Sequence, residues 1–203
     1  MIAIIDYGVG NLFSLSSSLS YLGLEASVTS DPEAIKKADR LILPGVGAFA
    51  DAKRKLDSTG LCDIVKEEAK SGKPLLGICL GMQLLFDRSL EFGECEGLRL
   101  IPGTVAPIKE DITCPVKIPH MGWNSLDVVK DSTIFRYTPP GEYVYYVHSF
   151  YAKDCGKSII ATSDYGGIKI TGAVQSQNVF GTQFHPEKSG DAGLRMLKAF
   201  CEL

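Results

Sequence analysis

Short apolar runs alternate with amphipathic, helix-like stretches in the first part of the chain, and this alternation restricts the fold more than any other feature. The leucines at positions 12, 15, 19 and 22 recur at helical spacing, and further helices are predicted near 31–38 and 47–71. This βαβ pattern predicts a mostly parallel central sheet of the flavodoxin type, with helices on both faces. The predicted strands are Ile2–Ile5, Glu25–Thr29, Arg40–Leu43 and Leu75–Ile78.

The chain after residue 100 is rich in predicted strands that follow each other closely. We expect them to be antiparallel additions to the same sheet, so that residues 1–203 form a single α/β domain. A final helix is predicted from Asp191 to Glu202, with Leu194, Leu197 and Cys201 on one face. The predicted strands are Thr104–Ile108, Val116–Ile118, Tyr143–Tyr151, Ser158–Ser163, Ile168–Gln175 and Val179–Phe184.

Composition argues against several classes of protein. The formal net charge is −3 and the lysines and arginines are scattered, so we expect no nucleic-acid partner and no membrane-surface partner. No run approaches the roughly 18 apolar residues that span a bilayer. Six cysteines without a secretion signal indicate a reduced, cytoplasmic protein. Because none of them is spaced as a Cys-x-x-Cys pair, we expect no zinc ribbon or redox motif. We also expect no metal site and no cofactor.

Cys79 lies where the predicted strand Leu75–Ile78 meets a helix-like run from Met82 to Arg88. Gly77 and Gly81 flank it at two residues on each side, which is the pattern of a nucleophile elbow with sulfur in place of oxygen. A helix N-terminus and a nearby histidine both favour the nucleophilic thiolate. The alternative is a small buried residue in an apolar run, and the cysteine alone does not separate the two readings.

A second motif, Phe184-His185-Pro186-Glu187, ends the last predicted strand. Pro186 has no N–H to donate to a neighbouring strand and stops the ladder there. Residues two apart in an extended chain point the same way, so Glu187 can reach one ring nitrogen of His185 and fix its tautomer. The other nitrogen can then take a proton from Cys79 and pass it to a leaving amine. We therefore predict a Cys79-His185-Glu187 hydrolytic triad rather than an isolated surface pair.

Acyl transfer also needs N–H donors for an oxyanion. The backbone N–H of Leu80 is one candidate. The segment Pro44-Gly45-Val46-Gly47, after the third predicted strand, is the natural position for a second, although an ordinary turn fits it equally well.

A competing motif follows the first predicted strand. Gly8-Val9-Gly10 begins like a dinucleotide fingerprint, but Phe13 stands where the third glycine is required, and the second strand ends without an acidic residue for a ribose. We therefore expect no nucleotide site.

The segments Gly77–Gln83 and Phe184–Ser189 resemble the two motifs of class I glutamine amidotransferases. The resemblance implies that Cys79 attacks the carboxamide of glutamine, forms a glutamyl thioester and releases ammonia, while His185 moves protons and Glu187 orients it. It further implies that Gln83 contacts the bound glutamine. The backbone of His148, Ser149 and Phe150 would hold the α-carboxylate.

Three more segments narrow the resemblance to the glutaminase subunits of imidazole glycerol phosphate synthases: Asp6–Asn11, Pro44–Phe49 and Lys117–Asn124. This implies a heterodimer with a (β/α)8 cyclase, which uses the ammonia to make imidazole glycerol phosphate and an aminoimidazole carboxamide ribotide in histidine biosynthesis. The oxyanion segment would be misaligned until the cyclase and its ligand bind. The residues expected at the interface are Asn11, Lys117, His120, Met121, Trp123 and Lys188. The alternative for Trp123 is a core tryptophan, and the alternative for Lys188 is a solvated lysine.

Two alternatives remain open from the sequence. The first alternative is a different enzyme: a sister amidotransferase or another thiol hydrolase on the same scaffold. The second is a non-catalytic binding module with an inactive elbow. The presence of all three triad residues argues against the inactive module.

Overall fold

Fourteen strands and six α-helices form the fold in a computed structural model that describes residues 1–203. The strands are β1 Ile2–Ile5, β2 Ala26–Thr29, β3 Arg40–Leu43, β4 Leu75–Ile78, β5 Phe86–Ser89, β6 Cys95–Glu96, β7 Ile101–Pro107, β8 His120–Ser125, β9 Asp127–Val128, β10 Tyr143–His148, β11 Phe150–Lys153, β12 Ile159–Tyr165, β13 Ile168–Ser176 and β14 Val179–Thr182. The helices are α1 Leu12–Tyr21, α2 Pro32–Lys37, α3 Phe49–Ser58, α4 Leu61–Lys70, α5 Leu80–Leu84 and α6 Gly190–Cys201. None of these helices combines the length and the hydropathy needed to cross a bilayer.

The main sheet has the strand order β2-β1-β3-β4-β14-β13-β12-β9, and its first five strands are parallel. Both faces of the sheet are buried, which is why its central strands are continuous apolar runs. Alternate residues of β1 point into opposite cores: Ala3 and Ile5 into one, Ile2 and Ile4 into the other. Helices α2, α3 and α4 cover the first core, and α1 and α6 cover the second. The predicted flavodoxin-type α/β fold is confirmed.

The antiparallel additions follow the prediction only in part. Strands β13, β12 and β9 extend the main sheet, but β8 and β10 form a separate two-stranded sheet. A third sheet has the order β11-β7-β5-β6. The predicted strand Tyr143–Tyr151 is therefore divided at Ser149, and its two parts join different sheets.

Several predicted boundaries were wrong for local physical reasons. The region 47–71 contains two helices, because Gly60 has a left-handed φ of +72° that ends the first. The helix after Cys79 is only Leu80–Leu84, and the chain then turns into β5. The segment Val116–Ile118 is not a strand, since it pairs with no neighbouring strand. In α6, Leu194 is only half-buried, and other residues of the helix fill the core.

Candidate active site

The candidate site lies at the carboxyl ends of neighbouring parallel strands of the main sheet. Tyr7 follows β1, the Pro44–Gly47 segment follows β3, and Cys79 follows β4. His185 follows β14, which pairs with β4. Ligands of open α/β sheets bind at this edge, because the loops that leave adjacent parallel strands converge there.

Cys79 occupies a sharp, strained turn between β4 and α5. Its φ of +55° and ψ of −111° lie outside the usual regions for a residue with a side chain. A Cβ on Gly81 would lie 1.8 Å from the carbonyl oxygen of Leu43, and one on Gly77 would lie 2.7 Å from the carbonyl oxygen of Gly81. The two flanking glycines are thus required by close backbone contacts, as a nucleophile elbow demands.

His185 and Glu187 form a buried pair, with each side chain 3% exposed. The Nδ1–H of His185 donates to Oε1 of Glu187 over 2.9 Å, which leaves Nε2 buried and without a hydrogen-bond partner. Burial alone lowers the pKa of His185. The interactions of His185 with Cys79 and with the carboxylate of Glu187 outweigh that effect and raise its pKa to about 9. The hydroxyl of Ser189 donates to the His185 carbonyl over 2.6 Å and holds the backbone of this turn.

A cavity of about 400 Å³ opens over the nucleophile and the histidine. Seven of the predicted oxyanion and substrate-binding residues line it: Val46, Gly47, Leu80, Gln83, His148, Ser149 and Phe150. Gly45 does not. It lies against the elbow, where an added Cβ would be 2.7 Å from the backbone nitrogen of Gly81.

Glu91 and Phe92 line the same cavity, and neither was predicted from the sequence. Glu91 is the only carboxylate in the lining; its Oε2 accepts a hydrogen bond of 2.6 Å from the backbone N–H of Phe49. Burial raises the pKa of Glu91. Phe92 is 91% exposed, and its ring lies edge-on to that of Phe150. Both residues belong to an irregular turn after β5 that carries no motif.

Gln83 is held in a defined orientation. Its Nε2 donates to the carbonyl of Phe150 over 3.1 Å and to Oε1 of Gln183 over 3.0 Å. Because both amide hydrogens are used, only Oε1 of Gln83 remains available to a ligand in the cavity.

His148 and His120 form a hydrogen-bonded chain behind the cavity. Nδ1 of His148 donates to the Phe150 carbonyl over 2.8 Å, so its Nε2 accepts from Nδ1 of His120 over 3.0 Å. Nε2 of His120 in turn accepts from the amide of Asn124 over 3.3 Å. Burial lowers the pKa of His120 to about 4 and that of His148 to about 3, so both rings are neutral at physiological pH.

The residues predicted for a partner interface separate into two sets. Met121 and Trp123 are 61% and 55% exposed, and Trp123 packs edge-on against Tyr145. His120 lies on the opposite face of β8, 3% exposed and stacked on Tyr146 and Tyr165. Its predicted place on the interface is corrected, because successive residues of a strand point to opposite faces.

The other predicted interface residues lie on or near the same edge of the molecule. Lys117 and Lys188 are exposed, and Nζ of Lys188 lies 6.0 Å from the ring centroid of Tyr145. Asn11 is half-buried; its side chain caps α1 and lines a small cavity shared with Glu187. Phe13, in the first turn of α1 and 83% exposed, is not among the predicted interface residues.

The arrangement brings together a thiol, an imidazole and a carboxylate, which are the groups that acyl transfer through a covalent intermediate requires. No group of three or more histidine, cysteine or acidic side chains is arranged to hold a metal ion. The reaction class supported by these side chains is hydrolysis through a thioester.

Comparison with known proteins gives the class first. Residues 3–202 match the family model described as "Glutamine amidotransferase class-I". A solved structure described as a glutamine amidotransferase superposes with a TM-score of 0.78 at 19% identity, covering 100% of this chain and 98% of that one. PurLQS from Thermotoga maritima superposes with a TM-score of 0.73 at 20% identity, covering 99% and 97%. The chain belongs to the class I glutamine amidotransferase family.

Curated relatives narrow the class to one branch. The chain is 49% identical over 200 residues to the imidazole glycerol phosphate synthase subunit HisH of Bacillus mycoides strain KBAB4, covering 98% of this chain and 93% of that protein. It is 51% identical over 201 residues to the subunit of the same name in Bacillus anthracis strain A0248, with the same coverage. Within the class it therefore falls among the HisH subunits.

Proposed function

We propose that this chain is the glutaminase subunit of an imidazole glycerol phosphate synthase. It hydrolyses glutamine to glutamate and ammonia, and the ammonia passes to a (β/α)8 cyclase subunit that makes imidazole glycerol phosphate and aminoimidazole carboxamide ribotide in histidine biosynthesis. The observation that carries the proposal is the cavity lined by both Cys79, on its strained elbow, and His185, whose Nδ1 is held by the buried carboxylate of Glu187.

The first half-reaction forms the thioester. Nε2 of His185 takes the thiol proton of Cys79, and the sulfur attacks the carboxamide carbon of glutamine. The N–H of Leu80 and the Gly45–Gly47 segment stabilise the resulting oxyanion. When the C–N bond breaks, His185 returns the proton to the leaving nitrogen, so ammonia departs and the glutamyl group stays on sulfur.

The second half-reaction uses the same residues in reverse. His185 takes a proton from water, the hydroxide attacks the thioester carbon, and the C–S bond breaks with its electron pair on sulfur. The proton returns to the thiolate and glutamate leaves. Glu187 stabilises the imidazolium in both halves, since its carboxylate holds Nδ1 over 2.9 Å.

Substrate recognition needs a partner for each end of glutamine. We assign the α-ammonium group to Glu91, because it is the only carboxylate that lines the cavity. The backbone of His148, Ser149 and Phe150 receives the α-carboxylate, and Oε1 of Gln83 accepts a hydrogen bond from the substrate.

The cyclase is proposed to dock on the surface formed by Met121, Trp123, Tyr145 and Lys188. This surface carries two exposed apolar side chains beside a lysine, and Trp is among the residues that contribute most to interface affinity. The proposed docking surface and the cavity wall are close in sequence, because Tyr145 and His148 both belong to β10.

Docking is also proposed to align the oxyanion segment. Gly47 has a left-handed φ of +93°, and the carbonyl of Pro44 accepts a hydrogen bond of 2.7 Å from the hydroxyl of Tyr7, which fixes one end of the segment. A peptide flip near Val46 then completes the oxyanion hole only in the complex. Glutamine hydrolysis is measured for the isolated chain and again with cyclase and nucleotide; equally high rates in both conditions contradict this regulation.

The glutaminase assignment is tested with Cys79→Ala. We expect turnover to vanish while the fold and cyclase binding persist, and mass spectrometry of the quenched wild-type enzyme should find a glutamyl adduct on Cys79. Cys114→Ala is the matched control, because Cys114 is exposed and does not line the cavity. Substantial hydrolysis by Cys79→Ala contradicts the assignment.

The proposed compartment is the cytoplasm, which the six free cysteines support.

A further inference from the structure

Gln183 is a buried polar residue with no place in the reaction described above. It follows β14, is 0% exposed, and its Nε2 lies 3.7 Å from Sγ of Cys79. We propose that Gln183 is a catalytic residue whose amide N–H donates a hydrogen bond to the sulfur of Cys79 and stabilises the thiolate. The inference rests on the proposed thioester chemistry.

The orientation of the Gln183 amide follows from its neighbours. The carbonyl of Phe150 can only accept, so Gln83 must turn its Nε2 towards it, at 3.1 Å. The same Nε2 lies 3.0 Å from the Gln183 side chain, which must therefore present Oε1 as the acceptor. Nε2 of Gln183 is then left to face the sulfur. If the Gln183 amide were reversed, its Nε2 would face Nε2 of Gln83, which is also a donor, and its Oε1 would face the Cys79 thiolate.

The Phe150 carbonyl, the first acceptor in this series of hydrogen bonds, is itself held in place. The Phe150 carbonyl also receives the Nδ1–H of His148 over 2.8 Å. His148 is locked in that tautomer by His120, which is stacked between two tyrosines. The orientation of Gln183 is thus set by a hydrogen-bonded network and requires no rearrangement when charge develops on sulfur.

Nε2 of Gln183 lies within hydrogen-bonding distance of the nucleophile's sulfur. His185 interacts with Cys79 as well, which raises the pKa of its imidazole. An N–H donor stabilises sulfur twice in the cycle: as the attacking thiolate, and again when the C–S bond of the tetrahedral intermediate breaks and the electron pair returns to sulfur. The bond is weaker in the neutral thioester, so it favours the charged states.

A purely structural role is the alternative, since buried amides are normally hydrogen-bonded in any core. Gln183→Met separates the two, because methionine has a similar length, packs well in cores and has no N–H. The matched control is Thr182→Val. Thr182 precedes Gln183, is 1% exposed, and its hydroxyl has no hydrogen-bond partner.

The measurements are alkylation of Cys79 by iodoacetamide at neutral pH, thiolate ultraviolet absorbance relative to Cys79→Ser, and glutamine kinetics with cyclase and nucleotide. For Gln183→Met we expect alkylation and kcat to fall about tenfold, with little change in KM. Thr182→Val should match the wild type in all three. Thermal unfolding verifies that each variant is folded.

A folded Gln183→Met that alkylates and turns over at the wild-type rate overturns the inference. If that variant does not fold, Gln183→Glu replaces it: its carboxylate repels the thiolate, so alkylation must slow, and an unchanged rate again overturns the proposal. Failure of the proposed function has a different signature. In that case the wild-type complex does not hydrolyse glutamine, while the effect of Gln183→Met on thiol alkylation persists.

Discussion

Replacing Glu187 by glutamine should change how the stability of the protein depends on pH. The pKa of His185 is raised from 6.5 to about 9 by Cys79 and Glu187. That rise corresponds to about 3 kcal/mol of pH-dependent stabilisation. Because the folded-state pKa is the higher one, the stabilisation is complete below pH 6.5 and is lost as the pH rises through 9.

Glu187→Gln keeps the size of the side chain but removes the carboxylate. Burial then opposes the imidazolium with only Cys79 to offset it, so we expect about half of the pH-dependent stabilisation to disappear. We also expect kcat to fall about a thousandfold or more, because the histidine loses its orienting charge.

Urea unfolding at pH values below 6.5 and above 9 measures the effect, since that window brackets the His185 titration. Glu187 itself is absent from the variant; every other titrating side chain is common to both proteins, and those that do not interact with His185 cancel in the difference between them. Identical pH dependence of the free energy of unfolding in wild type and Glu187→Gln would refute the reasoning, even if activity were lost.

Three further predictions concern the elbow, substrate binding and docking. Gly81→Ala should lower the free energy of unfolding by more than about 4 kcal/mol in urea titrations, because the added Cβ would lie 1.8 Å from a backbone carbonyl oxygen of β3. Gly156→Ala is its control and should be nearly neutral, since nothing lies within 4 Å of its Cβ position. Glu91→Gln should raise the KM for glutamine about tenfold and change kcat little, as steady-state kinetics will show; an unchanged KM contradicts the assignment of the α-ammonium site. Trp123→Ala should weaken cyclase binding in calorimetry by about thirtyfold or more, whereas Tyr21→Ala, at the far end of α1, should not. Equal effects of Trp123→Ala and Tyr21→Ala on cyclase binding would contradict the proposed docking surface.

The parallel half of the fold was predictable because its signals are local. Each buried strand such as Ile2–Ile5 is a continuous apolar run, and each helix between strands carries its own 3.6-residue periodicity. The strand β8 was missed because its pattern is reversed: the polar His120 points inwards and the apolar Trp123 points outwards. A strand that presents its apolar side to a partner cannot be recognised by a rule that assigns apolar residues to the core.

The grouping of Cys79, His185 and Glu187 was predictable from spacing, but their surroundings were not. Cys79 and His185 belong to motifs with fixed local geometry, whereas Glu91 reaches the cavity from an irregular turn with no pattern of its own. Gln183 acts through contacts with residues 100 and 104 positions away in the chain. Such contacts depend on how β4 and β14 pair, and no local sequence signal encodes that pairing.

Cys79 is proposed to release ammonia from glutamine for use by a cyclase. An isotope experiment supplies glutamine carrying a heavy nitrogen isotope in its side-chain amide to the chain, the cyclase and the nucleotide, and follows the label by mass spectrometry. We expect the label to enter imidazole glycerol phosphate with the wild-type chain and none to enter with Cys79→Ala. Labelled product formed by Cys79→Ala, or unlabelled product from the wild-type complex, would contradict it.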